Sequence, residues 1–263
     1  MQLLNRQFDL DQFFDKVTSS DQSVLMLDYD GTLAPFRPER DQAIPYAGVR
    51  ERLVKLIRLR STRLVLVSGR WSEDLIPLLG LHELPEIWGC HGAERVFPDG
   101  TIRFVELKPE TQQGLEKART WAMEKGLQDC LEHKPTSVAF HWRGFDPDRV
   151  IAIRIAVEQQ WAAAAAESGL QLSEFDGGIE LQVAGIDKGR AVRDILSETA
   201  AGFPVAYLGD DFSDEDAFAA VPPGGLKVLV RTESRDTKAD LWLKPPGELL
   251  AFLDRWIACL TLI

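Results

Sequence analysis

Cysteine is scarce in this chain: three residues in 263, beside three methionines, three tyrosines and four histidines. Cys90, Cys130 and Cys259 are odd in number and scattered, with no C-x-x-C spacing, which argues against a disulfide framework and against a zinc site. A reducing compartment is the expectation. Long hydrophobic runs are absent too, since no stretch approaches the roughly 20 apolar residues of a membrane span. The opening MQLLNRQFDLDQFF has acidic residues where a signal peptide would carry its apolar centre, so the expected location is cytoplasmic, with no membrane partner. Positive charge is in deficit, 30 basic against 41 acidic residues for a net charge of -11, a balance that repels nucleic acid and anionic lipid. No nucleic-acid partner is expected, and a lysine or arginine beside any active site, such as Lys134, Arg143 or Lys188, gains in interest. Internal repeats and low-complexity segments are also missing.

What is present has ordinary globular proportions, 45% hydrophobic and 27% charged, in a length that suits one large domain or a core with a smaller module. Short runs rich in Val, Leu and Ile stop abruptly in polar residues: 23–28 (SVLMLD), 63–68 (RLVLVS), 86–91 (EIWGCH) and 204–210 (PVAYLGD). They read as buried parallel strands, and the helix-period segments 47–60, 187–200 and 248–259 alternate with them. The expected fold is therefore α/β with a doubly wound parallel sheet, whose ligand crevice lies beyond the carboxyl ends of the strands. Asp28, Ser68, His91 and Asp210 all fall at such ends. The texture changes between 104 and 183, where two helical stretches (111–125 and 148–167), a strand of mixed polarity (136–142) and a hairpin turning at Asp176-Gly177-Gly178 are expected. This predicts a discontinuous core of 1–103 and 184–263 interrupted by a cap of 104–183. Segment 8–17 is amphipathic, and the sequence leaves open whether it covers the core or another subunit.

The strongest chemical signal is Asp28-Tyr29-Asp30-Gly31-Thr32 directly after a buried strand. A lone D-x-D is often a mere turn. At a strand end, with a glycine that lets backbone approach an anion, two acids instead form a site that needs a counter-ion, and Mg2+ prefers carboxylate oxygens with phosphate and water. The first acid can attack phosphorus to give an aspartyl phosphate, while the second protonates the leaving oxygen and then activates water.

DYDGTL resembles the first signature of the haloacid dehalogenase superfamily, and three further signatures follow in order. The resemblance implies a Rossmann-like core with a C2-type α+β cap. It implies that Ser68, in Ser68-Gly69-Arg70, hydrogen-bonds the phosphoryl group, with Gly69 and Arg70 on the substrate side. Lys188, in Asp187-Lys188-Gly189-Arg190, would pair with the nucleophile. Asp210 and Asp214, in GDDFSD, would join Asp28 and Asp30 around the metal. An acid at position 30 favours hydrolysis over a lasting aspartyl phosphate.

From about residue 20 onward the chain is similar to the trehalose-6-phosphate phosphatases. DYDGTLAP, VSGR, CHGAE, LEHKPTSVAFHWR, GIELQVAGIDKGRAV and YLGDDFSDEDAF carry the likeness. It implies that His91, Glu94, Glu132, Lys134, His141, Arg143 and Glu180 bind the sugar phosphate, that trehalose 6-phosphate is hydrolysed in trehalose biosynthesis, and that the activity is coupled to a trehalose-phosphate synthase. From the residues alone, an exposed cross-strand charge group is the alternative for Glu132, Lys134 and Glu180, and an ordinary strand histidine the alternative for His141. Glu180-Leu181-Gln182-Val183 stands where many relatives have EIRP. That leaves room for another glycoside phosphate (glucosylglycerol, mannosylglycerate or sucrose phosphate). The rival of another class is a catalytically silent sugar-phosphate-binding module, whose expected mark would be loss of Asp28, Asp30 or Lys188, and all three are present.

Overall fold

The first segment begins with a short strand β1 (Gln2–Leu3) and helix α1 (Leu10–Ser19). Asp9 caps α1 by accepting a hydrogen bond from the Gln12 N–H, and Phe13, Phe14 and Val17 fall on one buried face. Then come β2 (Ser23–Leu27), α2 (Val49–Leu59), β3 (Thr62–Val67), α3 (Ser72–Leu79), β4 (Glu86–Gly89), β5 (Glu94–Val96) and β6 (Ile102–Phe104). The computed structural model describes every residue except Pro38, Arg143, Asp176, Leu262 and Ile263.

A middle stretch follows with α4 (Pro109–Glu124), β7 (Leu131–Lys134), β8 (Ser137–His141), α5 (Pro147–Ser168), β9 (Leu170–Phe175) and β10 (Gly178–Val183). The chain closes with α6 (Lys188–Ser197), β11 (Val205–Gly209), α7 (Asp214–Ala220), β12 (Leu226–Val230), β13 (Leu241–Leu243) and α8 (Gly247–Thr261). Two compact units result, one of Met1–Phe104 with Asp187–Ile263, the other of Val105–Ile186.

In the first unit the described strands form one sheet ordered β1-β13-β12-β11-β2-β3-β4-β5-β6. From β13 to β4 neighbours run parallel, and the edges close antiparallel. Alternate residues feed two apolar layers, because side chains point to opposite faces along a strand. Leu25 and Leu27 lie in a layer with α1, α2 and α8; Val24 and Met26 lie in a layer with α6 and α7. Phe13 and Phe14 meet Trp256 and Phe252 of α8 at 5.9 and 5.6 Å between ring centroids. The amphipathic 8–17 segment thus packs on its own core.

The chain winds outward from β2 through β3 to β4 and returns to wind the other way through β11 and β12. The carboxyl ends of the adjacent strands β11, β2 and β3 consequently flank a topological switch point, where open α/β sheets bind ligands. The 86–91 run is shorter as a strand than its composition predicts. Cys90, His91 and Gly92 take positive φ of 49°, 58° and 103°, so pairing stops at Gly89 and the chain turns left-handed.

The second unit is an antiparallel sheet ordered β7-β8-β10-β9, with α4 and α5 over one face. Val138, Phe140, Ile179 and Leu181 point to the helices and meet Leu115, Val157 and Trp161. The hairpin between β9 and β10 has its turn residue Asp176 outside the described residues.

Candidate active site

Asp28 follows β2 directly and is 3% exposed. Its Oδ1 accepts a hydrogen bond from Lys188 Nζ at 2.7 Å, and its Oδ2 accepts one from the Thr32 hydroxyl at 3.2 Å. Lys188 opens α6, whose N-cap Asp187 accepts from the Arg190 N–H, so the helix start fixes where the ammonium emerges. The same ammonium reaches Asp214 Oδ1 at 2.8 Å.

Asp214 is fully buried and has both oxygens engaged. Besides Lys188, the Tyr207 hydroxyl donates to Oδ1 at 2.7 Å, and the backbone N–H groups of Asp210 and Asp211 donate to Oδ2 at 3.0 Å each. Expected from the sequence beside the metal, it also shapes the loop after β11 and anchors Lys188. Tyr207 and Thr32 escaped the sequence reading. The available signal was a lone tyrosine in an aliphatic buried strand, whose hydroxyl must find a partner.

Asp210 completes the cluster. One carboxylate oxygen from each of Asp28, Asp210 and Asp214 lies within 4.8 Å of the others. Among the described residues no hydrogen bond is donated to the Asp210 carboxylate, whereas its backbone carbonyl faces Arg231 and Arg235 at 3.4 and 3.3 Å. Burial, followed by the nearby carboxylate charges, pushes Asp210 up to about 10. Burial also raises Asp28 to about 7 against the pull of Lys188, which is shared with Asp214. For Lys188 burial works against the charge, but Asp214 and Asp28 together outweigh it and hold the ammonium protonated. Ionised together, three buried acids around one lysine would leave surplus negative charge, and Asp28 and Asp210 have oxygens suited to a hard divalent cation. Gly31, at φ +78°, makes room: a Cβ there would sit 2.1 Å from Asp210 Oδ2.

Asp30 stands apart from this cluster. Its carboxylate takes a two-pronged ion pair from Arg70, Nε to Oδ2 at 2.6 Å and the second terminal nitrogen to Oδ1 at 2.7 Å. Arg70 itself is 6% exposed, and its N–H donates to the Ser68 Oγ at 3.1 Å. Ser68, at the end of β3, is 1% exposed. The Gly69 backbone lies so close to the His91 ring that a Cβ would come within 2.7 Å of it. His91 is therefore held at the same strand ends, on the left-handed turn that cuts β4 short. Glu94 is placed differently: it accepts hydrogen bonds from the Ser72 N–H and hydroxyl at 2.8 and 2.6 Å and from Trp71 Nε1 at 3.1 Å, bracing the start of α3.

In the second unit, four of the expected sugar-binding residues meet on the sheet face opposite the helices. Glu132 on β7 and Glu180 on β10 both pair with Ala139 of β8, whose small side chain leaves space between them. Lys134 Nζ lies 3.2 Å from Glu180 Oε1 and 3.5 Å from Glu132 Oε1. The Ser137 hydroxyl donates to Glu180 Oε1 at 2.5 Å, and His141 Nε2 lies 3.0 Å from Glu132 Oε2. Lys134 and Glu180 are each 7% exposed, so this is no solvated surface charge group. Arg143, expected with them, lies outside the described residues.

The trehalose-phosphatase family model matches residues 26–246 of this sequence, which takes in all of these positions. The chain belongs to the trehalose-phosphatase family. It is 33% identical over 246 residues to the trehalose-phosphate phosphatase of Mycobacterium marinum, an alignment covering 88% of this chain and 60% of that protein. The chain thus spans about 60% of the length of the curated relatives it matches. Among solved structures, the C-terminal domain of Candida albicans trehalose-6-phosphate phosphatase superposes with a TM-score of 0.77 at 21% identity, covering 98% of this chain and 99% of that one. A haloacid dehalogenase-like hydrolase from Bacillus subtilis superposes with a TM-score of 0.62 at 15% identity, covering 89% and 99%. The fold is the one these structures share, a mostly parallel α/β core with an α+β unit. No helix among the described residues is long and apolar enough to cross a membrane.

Proposed function

We propose that this protein is a magnesium-dependent phosphomonoesterase that hydrolyses trehalose 6-phosphate to trehalose and phosphate. The observation that carries the reading is the buried Asp28–Lys188–Asp214 chain beside Asp210, in a member of the trehalose-phosphatase family. Asp28 Oδ attacks phosphorus while the bond to the sugar oxygen breaks, and Asp30 supplies the proton that oxygen takes. Asp30 then accepts a proton from water as the new O–P bond forms and the bond to Asp28 breaks, returning Asp28 to carboxylate. Lys188 neutralises charge on Asp28 and on the phosphoryl oxygens, Ser68 hydrogen-bonds them, and Asp28 and Asp210 would hold the metal. Bound there, magnesium would stabilise charge developing on the phosphoryl group.

Sugar recognition falls in this reading to the inserted unit, acting as a cap. Glu132 and Glu180 offer carboxylate acceptors to a polyol, held apart by Lys134 and oriented by Ser137 and His141. The cytoplasm is the proposed compartment, and a trehalose-phosphate synthase the proposed functional partner.

Phosphate release from trehalose 6-phosphate, glucose 6-phosphate, sucrose 6-phosphate and glucosylglycerol phosphate, with magnesium and with EDTA, tests the assignment. Metal-dependent preference for trehalose 6-phosphate is expected, together with loss of turnover by at least about 10³-fold in a folded Asp28→Asn variant. Preference for another ester would overturn the substrate. Near wild-type turnover in Asp28→Asn would overturn the mechanism, and inactivity on every ester would make the protein a binding module.

A further inference from the structure

Arg70 is expected from the sequence on the substrate side, and its guanidinium grips an acid of the core unit. Both prongs of the fork engage Asp30, at 2.6 and 2.7 Å, and the pair bridges 40 residues of sequence. The arginine is fixed at its base as well: its N–H donates to Ser68 Oγ, its carbonyl accepts from the Cys90 N–H at 2.8 Å, and its guanidinium lies 5.8 Å from the centre of the Tyr29 ring. A residue anchored at three points and 6% exposed is a rigid mount for the carboxylate it grips. Asp30, with a side chain 26% exposed, sits on a turn pinned by the Gly31 N–H to the Ala34 carbonyl, and has little else among the described residues to define its plane. Proton transfer demands such definition, since a general acid must present one oxygen within hydrogen-bond reach of the leaving oxygen.

We propose that Arg70 is a positioning residue for Asp30: its planar fork sets the orientation in which Asp30 gives and takes the catalytic proton. The inference rests on the phosphatase reading above. It distinguishes Arg70 from a phosphate ligand, which would act on affinity, and from a brace, which would act on stability. Lysine cannot replace it, because an ammonium is a point donor and fixes no plane.

Leaving-group dependence provides the test. An alkyl phosphate needs its leaving oxygen protonated; p-nitrophenyl phosphate releases a stable phenolate without help. Both substrates still need Asp30 to activate water in the second step. In Arg70→Lys and Arg70→Ala, kcat for trehalose 6-phosphate should fall about 10²-fold, the usual scale of general acid–base catalysis, with KM within about threefold of wild type. With p-nitrophenyl phosphate under rapid mixing, the variants should show a stoichiometric burst of nitrophenolate followed by slow turnover, because the aspartyl phosphate forms and then waits. Free guanidinium should restore part of the Arg70→Ala rate.

A rise in KM on both substrates with kcat preserved would make Arg70 a substrate ligand and overturn the proposal. Equal loss on both substrates with no burst, in proportion to a lowered melting temperature, would reduce it to a brace and overturn it as well. If wild-type enzyme shows no metal-dependent activity on either ester, the phosphatase reading itself fails, which is a separate result.

Discussion

Asp28 and Asp210 pose an energetic problem that a divalent cation resolves. Both carboxyls are raised from an ordinary value of 3.8, to about 7 and about 10, primarily by burial. A group that binds its proton more tightly folded than unfolded lowers stability as the pH rises from its unfolded value to its folded one. The metal-free fold should therefore lose stability from about pH 4 upward, through both carboxyls as far as about pH 7 and through Asp210 alone from there to about pH 10. A bound cation replaces those protons, and its stabilisation should grow over the same range. Melting curves with and without saturating magnesium should show a gain at about pH 8 at least twice that at about pH 5. An equal gain at both would mean that neither carboxyl holds a proton in the metal-free protein.

Among the elements, the strands proposed to carry chemistry were the ones most legible in the sequence. β2, β3 and β11 are largely buried on both faces, so they read as mostly apolar runs, and the polar residue ending each run, Asp28, Ser68 or Asp210, is the one proposed to function. β5 and β13 have three residues each, too few to show a period, and were not foreseen. The Arg70–Asp30 pair was not legible either: S-G-R locates an arginine at a strand end without saying which acid it meets 40 residues away. Glu94 carried the same ambiguity, and three donors at the start of α3 resolve it. The loop after β2 has one requirement the sequence did announce, a glycine at 31. Its φ of +78° is costly for any other residue by about 1–2 kcal/mol, and a Cβ would press on Asp210 Oδ2. Gly31→Ala should leave the fold intact but weaken magnesium binding at least about tenfold, a change equal to about 1.4 kcal/mol. Isothermal titration with magnesium would measure it, and unchanged affinity would show that Asp210 is free to move aside.

At the scale of the molecule, a core made from two distant chain segments needs ties between them. Glu198, at the C-terminal end of α6, supplies one from the second segment to the first. Arg95 donates to both of its oxygens at 2.6 and 2.7 Å, and Arg63 donates to Oε2 at 2.9 Å. Arg63 and Arg95 also pair with Glu86 on β4, and the Arg63 guanidinium donates to the Ile195 carbonyl at 2.8 Å, so β3, β4, β5 and α6 share one charged network. Hydrogen bonds from Arg95, then from Arg63, hold the Glu198 carboxyl at about 2. A carboxyl depressed in the folded state contributes stability above its unfolded value, and that contribution disappears as the pH falls through its folded value. The Glu198 side chain is 45% exposed, so solvent screens the network and the contribution should stay under about 1 kcal/mol. Glu198→Gln should therefore melt a few degrees below wild type at neutral pH, with the gap closing between about pH 4.5 and about pH 2, and it should also close in about 1 M salt. A gap that persists under acid or high salt would mean that Glu198 acts through packing or the end of α6, and the two segments would then be held chiefly by the apolar layer in which Phe13 and Phe14 meet Phe252 and Trp256.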